Sequence, residues 1–175
     1  FTPLLSIILE SRGTSTTIIG GLAMMAPAGI MIGSFIVPHL IRKFEGRYLL
    51  IFGVLIDIII IFFLMNTYSI IILFILRFLG GIVGSVLFVV CESRIISITP
   101  NFHHGKVMGF YNSFLLLSLS IGPLILSMTG AKGPLPFIVG ITLMIMAGFP
   151  LLWIKNFQQN LSNKPGFGII SFAIV

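Results

Sequence analysis

Two ionisable residues lie inside long apolar runs: Asp57 within LLIFGVLIDIIIIFFLM and Arg77 within IIILFILRFLGG. A charge held inside a membrane costs at least ~2.5 to 3.5 kcal/mol on insertion scales, so it faces a bundle interior, a cavity or an opposite charge. Two chemistries fit such a pair. Either Asp57 and Arg77 neutralise each other as packing glue, or Arg77 lines a polar pathway and meets an anionic group or a proton-carrying carboxylate. Asp57 carries less of the second reading, because its run is the most uniformly apolar of the chain and reads as lipid-facing. A further polar group, Glu92, Arg94, Asn101, His103 and His104, follows the Arg77 run. It offers an enzyme no recognisable nucleophile, and its two histidines fall short of the three or four converging ligands of a zinc centre. The histidines are assigned no chemistry. Glu92, a carboxylate beside basic loops, fits a conformational latch at the rim.

The elements that must position these residues follow from composition. Of 175 residues, 57% are hydrophobic and only 8% are charged, about a third of the ~25% typical of soluble domains. Mean hydropathy is +1.19. These values exclude a water-soluble globule and a disordered tail, and they fit an all-α integral membrane protein. The lone Cys91 excludes a disulfide framework and a cysteine-based metal site. No cofactor is expected.

Five apolar stretches are long enough to cross: 18–41, 48–65, 70–91, 107–128 and 135–154. The opening run at 1–9 is about half the ~20 residues a crossing needs and reads as the tail of a truncated first helix. With it, residues 1–155 form a six-helix transmembrane bundle. Residues 156–166 read as a linker and 167–175 as the start of the next helix. The chain is therefore expected to be a fragment cut inside a helix at both ends.

Alternate loops lie on opposite sides of the membrane. One side collects Arg42, Lys43, Arg47, Arg94, Lys106, Lys155 and Lys164, the other Arg12 and Lys132, and seven against two is a positive-inside bias. It places loops 42–47, 92–106 and 155–166 in the cytoplasm. The net charge of +6 is then mostly topology, and no nucleic-acid partner is implied. With about 1.5 Å of rise per residue, Asp57 should lie ~13 Å from the cytoplasmic end of its span and Arg77 ~11 Å from the outer end of its own. A mutual ion pair is allowed by that geometry.

Small residues permit close helix approach in lipid. Gly29 and Gly33, like Gly80 and Gly84, have four-residue spacing, and Gly81, Gly109, Gly122 and Pro123 add to the density. They serve either static packing or sliding and hinge surfaces, and a Gly-Pro step inside a span at 122 and 123 favours a hinge. Gly20 to Gly33 and Gly109 to Gly122 are both thirteen residues apart, as a three-plus-three internal repeat would place them.

These residues resemble three motifs of the major facilitator superfamily (MFS). The family's second-loop pattern, G-x-L-A-D-R-x-G-R-K, meets PHLIRKFEGR at 38–47, which keeps Leu40, Lys43 and Arg47. The fourth-helix pattern, L-x-x-x-R-x-x-Q-G, meets LFILRFLGG at 73–81, which keeps Leu73, Arg77 and Gly81, with Gly80 replacing Gln. The fifth-helix pattern, G-x8-G-x3-G-P-x2-G-G, is met by Gly109, Gly122 and Pro123. The segment VVCESRIISITPNFHHGKVMGFYNSF is similar to the YcaD-like bacterial branch, in which an E-S dipeptide closes the fourth helix.

The resemblance implies an MFS-type helical bundle, the N-terminal half, in a bacterial inner membrane. It implies secondary active transport of a small solute by alternating access, against a missing C-terminal six-helix half of the same chain, with protons as a further partner and export favoured. Arg77, with Asp57, would serve the cavity or coupling. Gly33, Gly81, Gly84, Gly109, Gly122 and Pro123 would serve packing or hinges. Lys43, Arg47, Glu92 and Arg94 would gate the cytoplasmic side. Because the second-loop pattern lacks its Asp, a non-transporting membrane protein (sensor, assembly partner or decayed half-transporter) stands as the alternative, with a membrane enzyme behind it.

Overall fold

A computed structural model describes residues 2–67, 69–129 and 135–153, and within them the secondary structure is entirely helical. The elements are α1 (Thr2–Ser11), α2 (Thr16–Lys43), α3 (Gly46–Asn66), α4 (Ile70–Ile98), α5 (His104–Thr129) and α6 (Leu135–Gly148). A 3₁₀ turn at Asn101–His103 leads into α5, and a second, Phe149–Leu152, follows α6. Among the described residues, four helices are long and apolar enough to cross a membrane; the stretch Leu135–Leu151 is a shorter apolar helix. The expected linker at 156–166 and the helix start at 167–175 lie outside the described residues.

Local sequence explains the boundaries. Gly13 turns the chain from α1 into α2 at φ +74°, a conformation that costs an L side chain roughly 1 to 2 kcal/mol. Pro27 and Pro38 lie inside α2 without ending it, as intramembrane helices tolerate. The apolar run of α4 stops at residue 91, but the helix continues to Ile98, so Glu92 and Arg94 sit on helix rather than in the expected loop. Nothing from 92 to 98 breaks a helix. Pro100 does, by pushing Thr99 into the extended region at φ −90°, ψ 131°.

The helices are held in two apolar clusters, one at each end of the bundle. At one end Leu4, Leu5 and Leu9 of α1 meet Leu22, Ile60, Ile61, Leu64, Leu73 and Phe137. At the other, beside the α2–α3 turn, Val37 and Ile41 meet Leu49, Leu50 and Val90. The opposite side of α3, with Phe52, Leu55, Ile56, Ile59, Phe62 and Phe63, is exposed, the surface a spanning helix turns to lipid.

Between the clusters α2 and α4 cross with their backbones in contact. A Cβ added to Gly29 would strike the carbonyl oxygen of Phe78 and lie 3.0 Å from both Gly81 Cα and Ile82 N. One added to Gly81 would strike the Ala26 carbonyl oxygen, and one on Gly33 would strike Ser85 Oγ. The seam on α4 is thus Gly81 and Ser85, one residue on from the Gly80 and Gly84 pair that spacing suggests. Ser85 fits there because its hydroxyl donates to the Ile82 carbonyl at 2.7 Å, leaving no unmet donor in a site 1% exposed. α5 is different. None of its described side chains is buried, and it touches the rest of the bundle mainly along α4 and α6.

Candidate functional site

Arg77 is the eighth residue of α4 and is half-buried, one turn beyond Leu73, which is 2% exposed. Asp57 falls on the stripe of α3 that turns inward, between Gly53 and Ile60, both buried. That corrects the lipid-facing expectation for Asp57: the lipid-like residues of its span occupy the other side of the helix. The antiparallel pair α3–α4 fixes its level. A Cβ on Gly53 would approach Leu87 and Val83, whereas one on Gly80 would lie 3.7 Å from Ile60 Cγ2 and 4.0 Å from Asp57 Oδ1. Gly80 therefore leaves the room that the Asp57 carboxyl occupies. Gly80 is three residues from Arg77, so the two intramembrane charges lie within about one helical turn of each other along α4.

Around this pair the glycines divide. Gly33 and Gly81 belong to the α2–α4 seam. A Cβ on Gly84, Gly109 or Gly122 would meet nothing within 4 Å, so none of these three makes a close approach among the described residues. Pro123 is exposed within α5. That helix also carries Ser113, Ser118 and Ser120, each donating its hydroxyl to the carbonyl four residues back, at 2.9, 2.8 and 3.1 Å, a bonding that satisfies serine in lipid and tends to bend helices.

The charged rim assembles at one end of α2, α3 and α4. Arg42 and Lys43 close the last turn of α2, where cations suit the helix dipole, and Lys43 Nζ stands 5.8 Å from the Phe44 ring centroid. Glu45 is the N-cap of α3, with Oε2 buried and no hydrogen-bond partner among the described residues. Arg47 follows, half-buried. Glu92 and Arg94 stand on the last turns of α4, and the Glu92 carboxylate acts electrostatically on Tyr111 of α5. His104, given no role from sequence, ties the two helices: its Nε2–H donates to the Thr99 carbonyl at 2.7 Å, across the α4–α5 turn.

The sequence reading also missed a cleft. Between α4 and α5 lies a space of about 420 Å³ lined by Phe88, Tyr111, Phe114, Leu115, Ser118 and Leu119. Tyr111, Phe114, Leu115 and Ser118 follow i, i+3, i+4, i+7 spacing, one face of a helix. That period was legible, but a reading made only from spans gives it no partner.

Apolar spanning helices packed through glycine, with ionisable residues at mid-span and basic residues gathered at one rim, define a multi-pass α-helical membrane protein. The chain belongs to the Major Facilitator Superfamily, whose pattern matches residues 1–170. It is also similar to an uncharacterized MFS-type transporter, YfkF, of Bacillus subtilis (strain 168), at 25% identity over 154 residues, 88% of this chain and 39% of that protein. The chain spans about two-fifths of the length of that curated relative.

Proposed function

We propose that this chain forms the N-terminal six-helix half of a secondary transporter that moves a small solute by alternating access, rocking against a second bundle. Arg77 carries the reading: a guanidinium near mid-membrane, one turn from the Asp57 carboxyl and mounted on the helix that α2 locks through backbone contact. A rigid mount is what a charge needs if it is to meet solute or proton at a fixed depth. Lys43, Arg47, Glu92 and Arg94 gate the cytoplasmic side, and Gly109, Gly122 and Pro123 let α5 bend. The membrane is the bacterial inner membrane. Proton coupling and export belong to the same proposal.

The test is uptake and efflux by the full-length protein in proteoliposomes, against a solute panel, with and without an imposed proton gradient. Arg77→Ala should abolish transport and Arg77→Lys should retain a fraction, while Asp57→Asn should uncouple solute movement from the gradient. Unchanged transport in Arg77→Ala removes Arg77 from the mechanism. A well-folded full-length protein that moves no solute from a broad panel removes the transporter reading.

A further inference from the structure

The turn between α4 and α5 presents a bare aromatic ring on a fixed mount. Phe102 is 93% exposed, more than any other large apolar side chain among the described residues. The exposed rings of α3 lie along a span, where lipid covers them, but Phe102 stands on the 3₁₀ turn beyond the end of α4. Four hydrogen bonds hold the backbone around it. Thr99 donates its N–H and its hydroxyl to the Ile95 carbonyl at 3.1 and 2.7 Å, the His103 N–H donates to the Pro100 carbonyl at 2.9 Å, and the His104 ring is tied to Thr99 at 2.7 Å. A backbone so pinned cannot swing the ring back onto the bundle.

Depth and charge say what covers it. Because Gly53 packs against Leu87, equal rise on the antiparallel pair carries Ile98 about 6 Å past the level at which α3 begins. The layer of headgroups between hydrocarbon and water is about 5 to 8 Å deep on each side, so the turn stands within it. Phenylalanine is a residue with which interfacial segments enter the boundary between headgroups and acyl chains. Beside the ring are donors only: His103 lies edge-on to Phe102 at 5.0 Å and is exposed, and Lys106 is exposed on the first turn of α5. Phe110, one turn past Lys106 on the same side of α5, is also exposed, so the ammonium heads a stripe that suits lipid. Glu45 and Glu92 are the acids of this rim, and Glu92 is the last acidic residue of the sequence. No negative side chain therefore lies on the turn itself or on α5.

We propose that the α4–α5 turn docks on the anionic lipid of its own leaflet, with Phe102 entering the acyl boundary while His103 and Lys106 hold the phosphate of an anionic headgroup. The docking needs no solute and stands apart from the transporter reading. The probe is Phe102→Trp in the full-length protein, reconstituted in phosphatidylcholine vesicles that carry a minor fraction of brominated phosphatidylglycerol or, for comparison, brominated phosphatidylcholine. The difference in emission from the parent isolates the introduced indole. Bromine should quench it, and the concentration dependence should favour phosphatidylglycerol about fivefold, the scale of one basic group at an anionic surface. His103→Gln with Lys106→Gln should remove that preference and leave quenching by both lipids. Equal quenching by the two lipids before those changes overturns the proposal. So does quenching by neither, whether aqueous iodide reaches the indole or a second bundle shields it. Inorganic phosphate that removes the preference, where chloride of equal ionic strength does not, assigns the cations to a soluble anion and overturns the lipid assignment.

A second measurement leaves Phe102 in place. A ligand that binds only the folded state raises its unfolding midpoint. The full-length parent in detergent micelles doped with phosphatidylglycerol should therefore melt higher than in micelles doped with phosphatidylcholine, and the margin should shrink in the His103→Gln, Lys106→Gln variant. A margin of equal size in parent and variant, or none in the parent, overturns the proposal.

Discussion

Gly29→Ala should destabilise the protein, although alanine is the better helix former by about 1 kcal/mol. The added Cβ would strike the Phe78 carbonyl oxygen and sit 3.0 Å from Gly81 Cα and from Ile82 N. All three obstacles are backbone, so no rotamer change relieves the contact. Ordinary carbon contacts lie at about 3.5 to 4.0 Å, and opening the seam by roughly 0.5 to 1 Å forfeits a quarter to a half of the dispersion energy of the atoms along it. Overpacking of this kind costs about 1 to 3 kcal/mol. At about 2 to 4 °C per kcal/mol for a domain of this size, the midpoint should fall by roughly 2 to 12 °C. Gly84→Ala is the matched control: its Cβ meets nothing within 4 Å, so it should be neutral or slightly stabilising. The assay is thermal unfolding of the full-length protein in one detergent, followed by intrinsic fluorescence. Gly29→Ala as stable as the parent, or Gly84→Ala equally damaged, refutes the backbone seam.

Gly81→Ala should behave like Gly29→Ala, and because the two replacements act on one contact, the double variant should lose less than the sum of the singles in the same melts. Gly13→Ala should lower the midpoint through its φ of +74°, by up to about 1 to 2 kcal/mol, with Gly13→Asn milder. His104→Ala removes the 2.7 Å bond to Thr99 and should raise hydrogen exchange at the α4–α5 turn, an effect of about 1 kcal/mol; unchanged protection there refutes the tie. Single cysteines at Lys43 and Lys132, in a Cys91→Ser background, should react with an impermeant maleimide only from the cytoplasmic and only from the outer side respectively, and the reverse pattern overturns the topology.

Hydropathy makes the crossing helices legible because lipid imposes one rule on every residue of a span. What it leaves out depends on which side of a helix faces which neighbour. Gly80 and Gly81 are adjacent, and each begins a small-residue pair, with Gly84 and with Ser85. Only the position of α2 selects the second pair. The apolar character of its whole span points Asp57 to lipid, whereas the buried stripe Gly46, Gly53, Ile60 and Leu64 of α3 sets it inward. Hydropathy ends α4 too early because an apolar run stops at charge, whereas a helix stops where its backbone must, here before Pro100. Arg77 was legible from cost alone, since an intramembrane cation needs a reason. The cleft was not, because it exists only once the register of α4 against α5 is known.

The lengths of the helices have a consequence of their own. At about 1.5 Å per residue, the 28 and 29 residues of α2 and α4 reach about 42 and 43 Å, against about 31 Å for the 21 residues of α3. A hydrocarbon layer is about 30 Å thick. α3 therefore matches the bilayer, while the crossed pair overhangs it by more than two helical turns. The register divides that excess on α4: Gly53 lies against Leu87 and Gly80 against Ile60, so equal rise on the two antiparallel helices sets Gly46, the first residue of α3, level with Arg94 and Asn66 level with Phe74. α4 thus passes the ends of α3 by about one turn on each side, and Arg42, Lys43, Glu92 and Arg94 gather at the edge that the first turn of α3 defines. A change in bilayer thickness acts on the charged rim at that edge, independent of any solute.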